Sequence, residues 1–141
     1  MALAAAQVVD AVAARLAPQP ALAGNVRTSR TWPWAESDLP ACRVYASDER
    51  VDPADIHGIN QHELFIDAEF TALAVADLDD ALHALAASGL ALLFAGAVPY
   101  GLRLVGIGRQ LASEGEAAVG RITLQLAATF FVAPASPETI L

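Results

Sequence analysis

The stretch Asn60–Leu73 is the part of the sequence that most constrains the fold. From Leu64 onward its even-numbered positions are apolar, whereas most of its odd-numbered positions carry polar side chains. A period of two is typical of a strand with one buried face. After Asp77 leucines recur at the spacing of one helix face, at Leu78, Leu82, Leu85 and Leu92. We therefore predict a long strand that leads directly into a long helix ending near Ala95.

The other elements follow from the same two periods and from the prolines and glycines between them. We predict a helix over Ala2–Leu16, strands over Val26–Arg30 and Ala41–Ser47, a polar loop over Asp48–Gln61, and strands over Leu102–Ala112 and Val119–Val132. The order α-β-β-β-α-β-β predicts an α+β fold, a single mixed or antiparallel sheet of about five strands with two α-helices packed on one face. The opposite face is expected to be polar with four apolar interruptions, Phe65, Val105, Ile107 and Phe131.

Composition favours one self-associating domain. The 141 residues contain no low-complexity linker, so we expect a single domain over 1–141 with a short C-terminal tail over 134–141. The apolar fraction of 55%, much of it alanine, suits close contact between subunits. The formal net charge is −8, and residues 51–141 hold the whole excess, with three arginines against eleven acids. This surface argues against phosphate binding, whereas a channel through which DNA slides can be acidic.

Targeting and membrane signals are weak in this sequence. The N-terminal apolar run has no basic region before it and is interrupted by Asp10, so we expect no secretory signal. The segment Ala81–Leu102 has no formal charge over its 22 residues, but it contains His83, Pro99 and three glycines. Because its start is amphipathic, we predict a core helix followed by a turn, and no membrane association.

The polar segment before the long strand holds the best candidates for chemistry. His57 and His62 lie near Asp52, Asp55 and Glu63, and imidazole with carboxylate can bind a divalent metal. The spacing matches no closed zinc pattern, so a solvated loop is favoured. A small metal-dependent hydrolase that uses the segment His57–Glu63 remains the alternative.

Other residues of chemical interest have simpler structural explanations. Asp77, Asp79 and Asp80 lie where a helix start favours acids, although they could chelate a hard cation. Cys42, the single cysteine, lies on the apolar side of a predicted strand and is expected to be a buried thiol. Gly106 and Gly108 lack the third glycine of a nucleotide-binding loop. We therefore predict no catalytic residue, no cofactor and no metal ligand, and hence a protein that is not an enzyme.

The segment Trp32-Pro33-Trp34 holds the most conspicuous side chains outside the predicted core. The two tryptophans either cover the end of the sheet or anchor a subunit contact, where Trp and Arg concentrate binding energy. Nearby arginines are free to pair with the acidic half of a neighbouring copy. Such a head-to-tail contact closes into a ring if the rotation allows.

Several segments, taken in order, resemble the phage tail terminator proteins, the minor tail protein U type of long-tailed phages. They are Val26–Arg30, Leu39–Tyr45 followed by Asp48 and Glu49, the helix start Leu78–Leu85, the turn Glu114–Glu116 and the strand segment Ile122–Leu124. The resemblance implies a hexameric ring that caps the tail tube, stops its polymerisation and presents a surface for head joining.

The resemblance also implies partners and a location. The partners would be other copies of this chain, the tail tube protein and a head-completion or connector protein, with DNA passing through the ring without specific binding. The protein would be assembled in the bacterial cytoplasm and reside in the virion tail. The expected subunit or tube contacts are Arg27, Arg30, Trp32, Trp34 and Arg50, and a loop with Asp52 and Asp55 is expected to face the ring interior. A non-catalytic host binding module is a further alternative.

Overall fold

The computed structural model describes residues 3–28, 33–55, 57–114 and 117–141, with the side chains of all of these except 112–114 and 117. The helices are α1 (Ala4–Leu16) and α2 (Leu78–Leu93). The strands are β1 (Val26–Arg27), β2 (Ala41–Pro53), β3 (Asn60–Leu73), β4 (Arg103–Glu114) and β5 (Ala117–Val132). Short 3-10 turns lie at Pro20–Leu22, Glu36–Asp38 and Pro99–Gly101.

The strands form one mixed sheet in the order β1-β2-β3-β5-β4. β1 runs parallel to β2, and every other neighbouring pair is antiparallel. The predicted α+β class, with two helices against a five-stranded sheet, is therefore confirmed.

The two helices cover the middle of the sheet and leave its β4 edge open. α1 packs on β2 and on α2, and α2 packs on β3 and β5. The side chains between them form the core, and Phe70 is among the largest fully buried ones. Gly89 of α2 lies so close to Phe70 that a Cβ atom there would come within 2.7 Å of the ring. A glycine at this position therefore brings the helix backbone directly onto the sheet.

The predicted polar loop over Asp48–Gln61 is wrong. β2 continues to Pro53 and pairs with β3 as far as Asn60, so the connection is only a short turn. We call residues 48–63 the hairpin arm. From Ala46 onward every residue of β2 is exposed. Because both faces of this part of β2 meet water, it needs no apolar alternation, and its pairing with β3 satisfies the backbone instead.

The remaining boundaries agree with the sequence pattern to within a few residues. α2 begins after Asp77, as expected, but the Asp77 side chain makes no capping hydrogen bond. The short strand expected over Val26–Arg30 is observed at Val26–Arg27, and Arg30 lies outside the described residues. None of the helices in the described part of the chain has the length and hydropathy required to cross a bilayer.

Candidate subunit interface

An apolar strip lies uncovered on the helix side of β4. Its members are Leu104, Ile107 and Leu111, which are 40%, 39% and 79% exposed. Arg109 lies on the same side between Ile107 and Leu111, and its Nε donates to His83 of α2 at 3.3 Å. Ile107 pairs with Leu124, a core residue of β5, so its side chain points to the same side of the sheet as the helices. The strip is exposed because the two helices pack over the other long strands. Grouped exposed apolar side chains of this kind are typical of a contact surface.

The predicted position of Ile107 on the polar face is wrong. A β-bulge between Leu104 and Gly106 inserts Val105 as an extra residue and reverses the alternation that follows. Val105 itself is 55% exposed and lines a shallow pocket of the polar face with Phe65. The apolar residues of the strip are visible in the sequence. The bulge that turns Ile107 and Leu111 to the same side of β4 as Leu104 is not.

The sheet also presents two unpaired strand edges. β4 forms one edge over its 12 residues. At the opposite edge β1 pairs only with Cys42 and Arg43, so among the described residues no strand covers β2 from Val44 to Pro53. Unpaired N–H and C=O groups on an edge strand are a template for another strand. The two edges belong to different strands, and a contact between them would therefore be head-to-tail.

A charged cluster ties the polar face of the sheet together. The Glu69 carboxylate on β3 lies 3.5 Å from a guanidinium nitrogen of Arg43 on β2 and 3.4 Å from one of Arg121 on β5. The Tyr45 hydroxyl donates a hydrogen bond to the same carboxylate at 3.2 Å. The three charged side chains are only 8–15% exposed. The cluster therefore joins three adjacent strands through largely buried charges.

Trp34 belongs to this cluster and is buried, with only 2% of the residue exposed. The Arg27 guanidinium lies 4.2 Å from the centre of its ring system and that of Arg43 lies 5.1 Å away. Of the two alternatives for Trp34, the structure therefore shows the first, because the ring covers the sheet of its own chain and is not exposed as an anchor. Arg27 stays partly exposed beside Asp38, whereas Trp32 and Arg30 lie outside the described residues.

Trp34→Ala is expected to lower the free energy of unfolding by about 3 kcal/mol, because it empties a buried aromatic site and removes the ring stacked on two arginines. Trp34→Phe should lose clearly less, since it keeps an aromatic face over Arg27 and Arg43. Urea denaturation followed by far-UV circular dichroism measures both. An alanine variant as stable as the parent chain would show that the ring is dispensable.

Arg50, Asp52 and Asp55 lie on the hairpin arm, far from Trp34. Arg50 is about 20 Å along β2 from Arg43, at roughly 3.3 Å per residue. Asp52 was predicted to lie in a loop, but it occupies a strand position opposite Gln61. Asp55 is in the turn, where its carboxylate accepts hydrogen bonds from two backbone N–H groups, those of His57 at 2.8 Å and Ile59 at 3.2 Å. Asp55 thus shapes the turn of the arm, and among the described contact residues Arg50 lies apart from Arg27 and Trp34.

Two side chains of the segment His57–Glu63, His62 and Glu63, contact different partners and do not point to a common metal position. His62 contacts the Glu49 carboxylate at 2.7 Å and stacks on Phe130 with a centroid distance of 5.2 Å. Glu63 instead pairs with Arg103 at 3.0 Å. Within residues 3–28, 33–55, 57–114 and 117–141, no three His, Cys, Asp or Glu side chains are grouped to hold a metal ion. The hydrolase alternative therefore gains no support from this segment.

Cys42 is fully buried, as predicted. Burial raises the pKa of its thiol far above the usual value, and the charge of Glu69 raises the pKa further. The folded thiol therefore stays protonated and unreactive at neutral pH.

This raised pKa predicts a loss of stability at alkaline pH. In the unfolded chain the thiol ionises near pH 8.5, whereas the folded thiol keeps its proton, so its contribution is complete below about pH 8.5 and is lost as pH rises. The free energy of unfolding should fall by up to about 1.4 kcal/mol per pH unit above that point. The chain contains no lysine to titrate in this range. Urea denaturation of the parent and of Cys42→Ala tests it, since the variant should lack this slope; equal slopes would contradict the assignment.

An apolar groove of about 470 Å³ lies between the first 3-10 turn, the end of β3 and α2. Its lining includes Pro40, Leu73, Ala84 and Leu85. Gln19 also lines it, donating to the Leu85 carbonyl at 3.2 Å, while its buried Oε1 accepts no hydrogen bond from the described residues.

Sequence reasoning named Ile107, although on the polar face, but it did not single out Leu104 and Leu111 of the apolar strip or Glu69 and Arg121 of the charged cluster. Opposite charges at the outward positions of predicted strands, Arg43, Glu69 and Arg121, are a signal from which the cluster could have been found. A scan against protein-family models finds no match for this chain, and a search of curated proteins finds no relative.

Proposed function

We propose that this chain is the subunit of a homo-oligomeric ring that terminates a phage tail. The observation that carries the proposal is the pair of unlike sheet edges that no strand covers among the described residues, with the apolar strip Leu104, Ile107 and Leu111 beside one of them. Unlike surfaces join head-to-tail, and a head-to-tail contact that repeats with a closing rotation gives a ring.

The distribution of charge fits a subunit that works by contact. The charged groups of the sheet are engaged with one another, as in the Glu69 cluster and the Arg103–Glu63 pair. The surplus of acids in residues 51–141 suits a channel that DNA traverses without adhering, because like charges repel the phosphate backbone. The ring would lie in the virion tail, between the tail tube protein and a head-completion or connector protein.

The role follows from the resemblance to tail terminators, which supplies the partner. A ring of subunits that matches the end of a tube can occupy the site where the next tube ring would add. The chain then acts as a stop for polymerisation and as a platform for the head, and neither role requires a catalytic group.

A tube-length assay tests this function. The tail tube protein of the phage or prophage that carries this chain is polymerised with and without the purified chain, and tube lengths are measured by negative-stain electron microscopy. We expect shorter tubes with a ring at one end, and no such effect from an assembly-deficient variant such as Ile107→Asp. Tubes of unchanged length and uncapped ends would reject the proposal.

A further inference from the structure

We propose that neighbouring copies join by pairing β4 of one copy with residues 48–53 of β2, the uncovered half of that strand, in the next copy. The ring would then contain one continuous sheet. This inference rests on the proposed ring and names the contact that builds it. The occupant of the apolar strip is therefore the hairpin arm of a second copy.

The directions of the strands allow this contact to repeat. Along the sheet β2, β3, β5 and β4 alternate in direction, since each neighbouring pair is antiparallel. β4 therefore runs opposite to β2, and a copy related by rotation presents its β2 antiparallel to β4. Antiparallel pairing needs no crossover connection, so each added copy extends the same ladder.

The covered start of β2 requires the copies to be offset along the strands. Through the pairs Ile107–Leu124, Leu124–Ala68 and Ala68–Val44, Ile107 lies level with Val44 of its own chain. Without an offset, the residues of β4 that follow Ile107 would meet Cys42 and Arg43, which β1 already occupies. β4 must therefore shift toward the hairpin arm.

A shift that places Ile107 opposite Val51 brings matching side chains together. Val51 is 50% exposed, and it lies on the same side of the sheet as Ile107 because its partner His62 faces Phe130, a core residue. The same register sets Arg109 opposite Glu49. On the other side of the sheet it sets Gly108, which has no side chain, opposite Arg50.

The charges of the two edges are complementary in this arrangement. The charged side chains described on β4 are Arg103 and Arg109, whereas the uncovered half of β2 carries Asp48, Glu49 and Asp52 against Arg50. Opposite charges steer two edges into one register, and like charges disfavour other pairings. Like charges would meet if two β4 edges or two hairpin arms paired with each other. The charges therefore favour pairing of β4 with β2.

The size of the offset agrees with a closed sheet. Because β2 has a bulge between Ala46 and Asp48, the shift from Val44 to Val51 covers six ladder positions, or about 20 Å, and a repeat of four strands is about 19 Å wide. Together they correspond to a strand tilt of about 46°, close to the 35–45° at which strands tilt in closed barrels. Copies related by a rotation alone can therefore keep this register around a ring.

Disulfide trapping tests the register in the full-length chain. The double variant Ile107→Cys/Val51→Cys cannot close within one chain, because these positions lie on strands separated by at least about 14 Å, beyond the reach of a disulfide. Mild oxidation should therefore give a ladder of covalent oligomers on a denaturing gel that contains no reductant. The native Cys42 is buried, so it does not compete.

The matched control is Leu104→Cys/Val51→Cys. Leu104 is as exposed as Ile107 and lies on the same side of β4, but it is displaced by two ladder positions, or about 7 Å, along the strand. It should give no ladder, as should each single-cysteine variant. In a second arm, Arg109→Glu and Glu49→Arg should each weaken assembly, and the double reversal should restore it.

The outcomes of these experiments distinguish failure of the β4–β2 pairing from failure of the proposed ring. A ladder from Ile107 with Val51, together with rescue by the double reversal, supports the pairing. Rings that form without the ladder, or that cross-link equally well through Leu104, overturn the pairing and leave the terminator ring standing. A chain that stays monomeric overturns both.

Discussion

Replacing Glu69 with alanine is expected to lower the free energy of unfolding by about 3 to 5 kcal/mol. The carboxylate lies between Arg43 and Arg121, and all three side chains are largely buried. Without it Arg43 and Arg121 would both lose the largely buried carboxylate that lies between them. Removing one partner of a largely buried charge cluster costs far more than the loss of an exposed ion pair.

The chain offers a matched control in Glu63→Ala. The Glu63–Arg103 pair is shorter, at 3.0 Å, but its side chains are 28% and 48% exposed. Its removal should cost less than about 1 kcal/mol because water screens it. Urea denaturation followed by circular dichroism compares the two variants. Equal losses would contradict the view that burial, and not distance, makes the Glu69 cluster important.

The double variant Ile107→Asp/Leu111→Asp should weaken self-association by at least about a hundredfold. Each side chain would lose roughly 1.5 kcal/mol or more of apolar burial at the contact, and every 1.4 kcal/mol corresponds to a tenfold change in affinity. The fold should survive, because both positions are exposed in the single chain. Analytical ultracentrifugation over a concentration series gives the affinity, and circular dichroism reports the fold.

The control for this variant is Leu141→Asp, a similarly apolar residue that is 62% exposed at the C-terminal end of the chain. Its affinity should match that of the parent chain. If Leu141→Asp dissociates the oligomer and the strip variant does not, the contact lies elsewhere on the surface.

The fold could be predicted where an element is buried on one face only, because such an element has a periodic pattern of apolar residues. β3 and α2 are each covered on one face, so the alternation before Leu73 and the leucine spacing after Asp77 identify them. The β2 half of the hairpin arm could not be predicted in this way, because its residues are exposed on both faces. Its strands form through backbone pairing, which leaves no apolar pattern.

The candidate interface was less accessible to sequence reasoning, for two physical reasons. The bulge at Val105 changes the phase of β4, so the strip cannot be assigned to a side before the pairing with β5 is known. The sequence left open whether Trp34 covers the sheet or anchors a subunit contact. Its burial depends on Arg27 and Arg43, which reach it from two different strands.

The central claim is that this chain works by docking to copies of itself. Native mass spectrometry of the purified protein tests it most directly. A ring predicts a dominant species with six times the mass of one chain, persisting over roughly a hundredfold dilution as expected for a contact with substantial apolar burial. A single chain at every concentration would contradict the account.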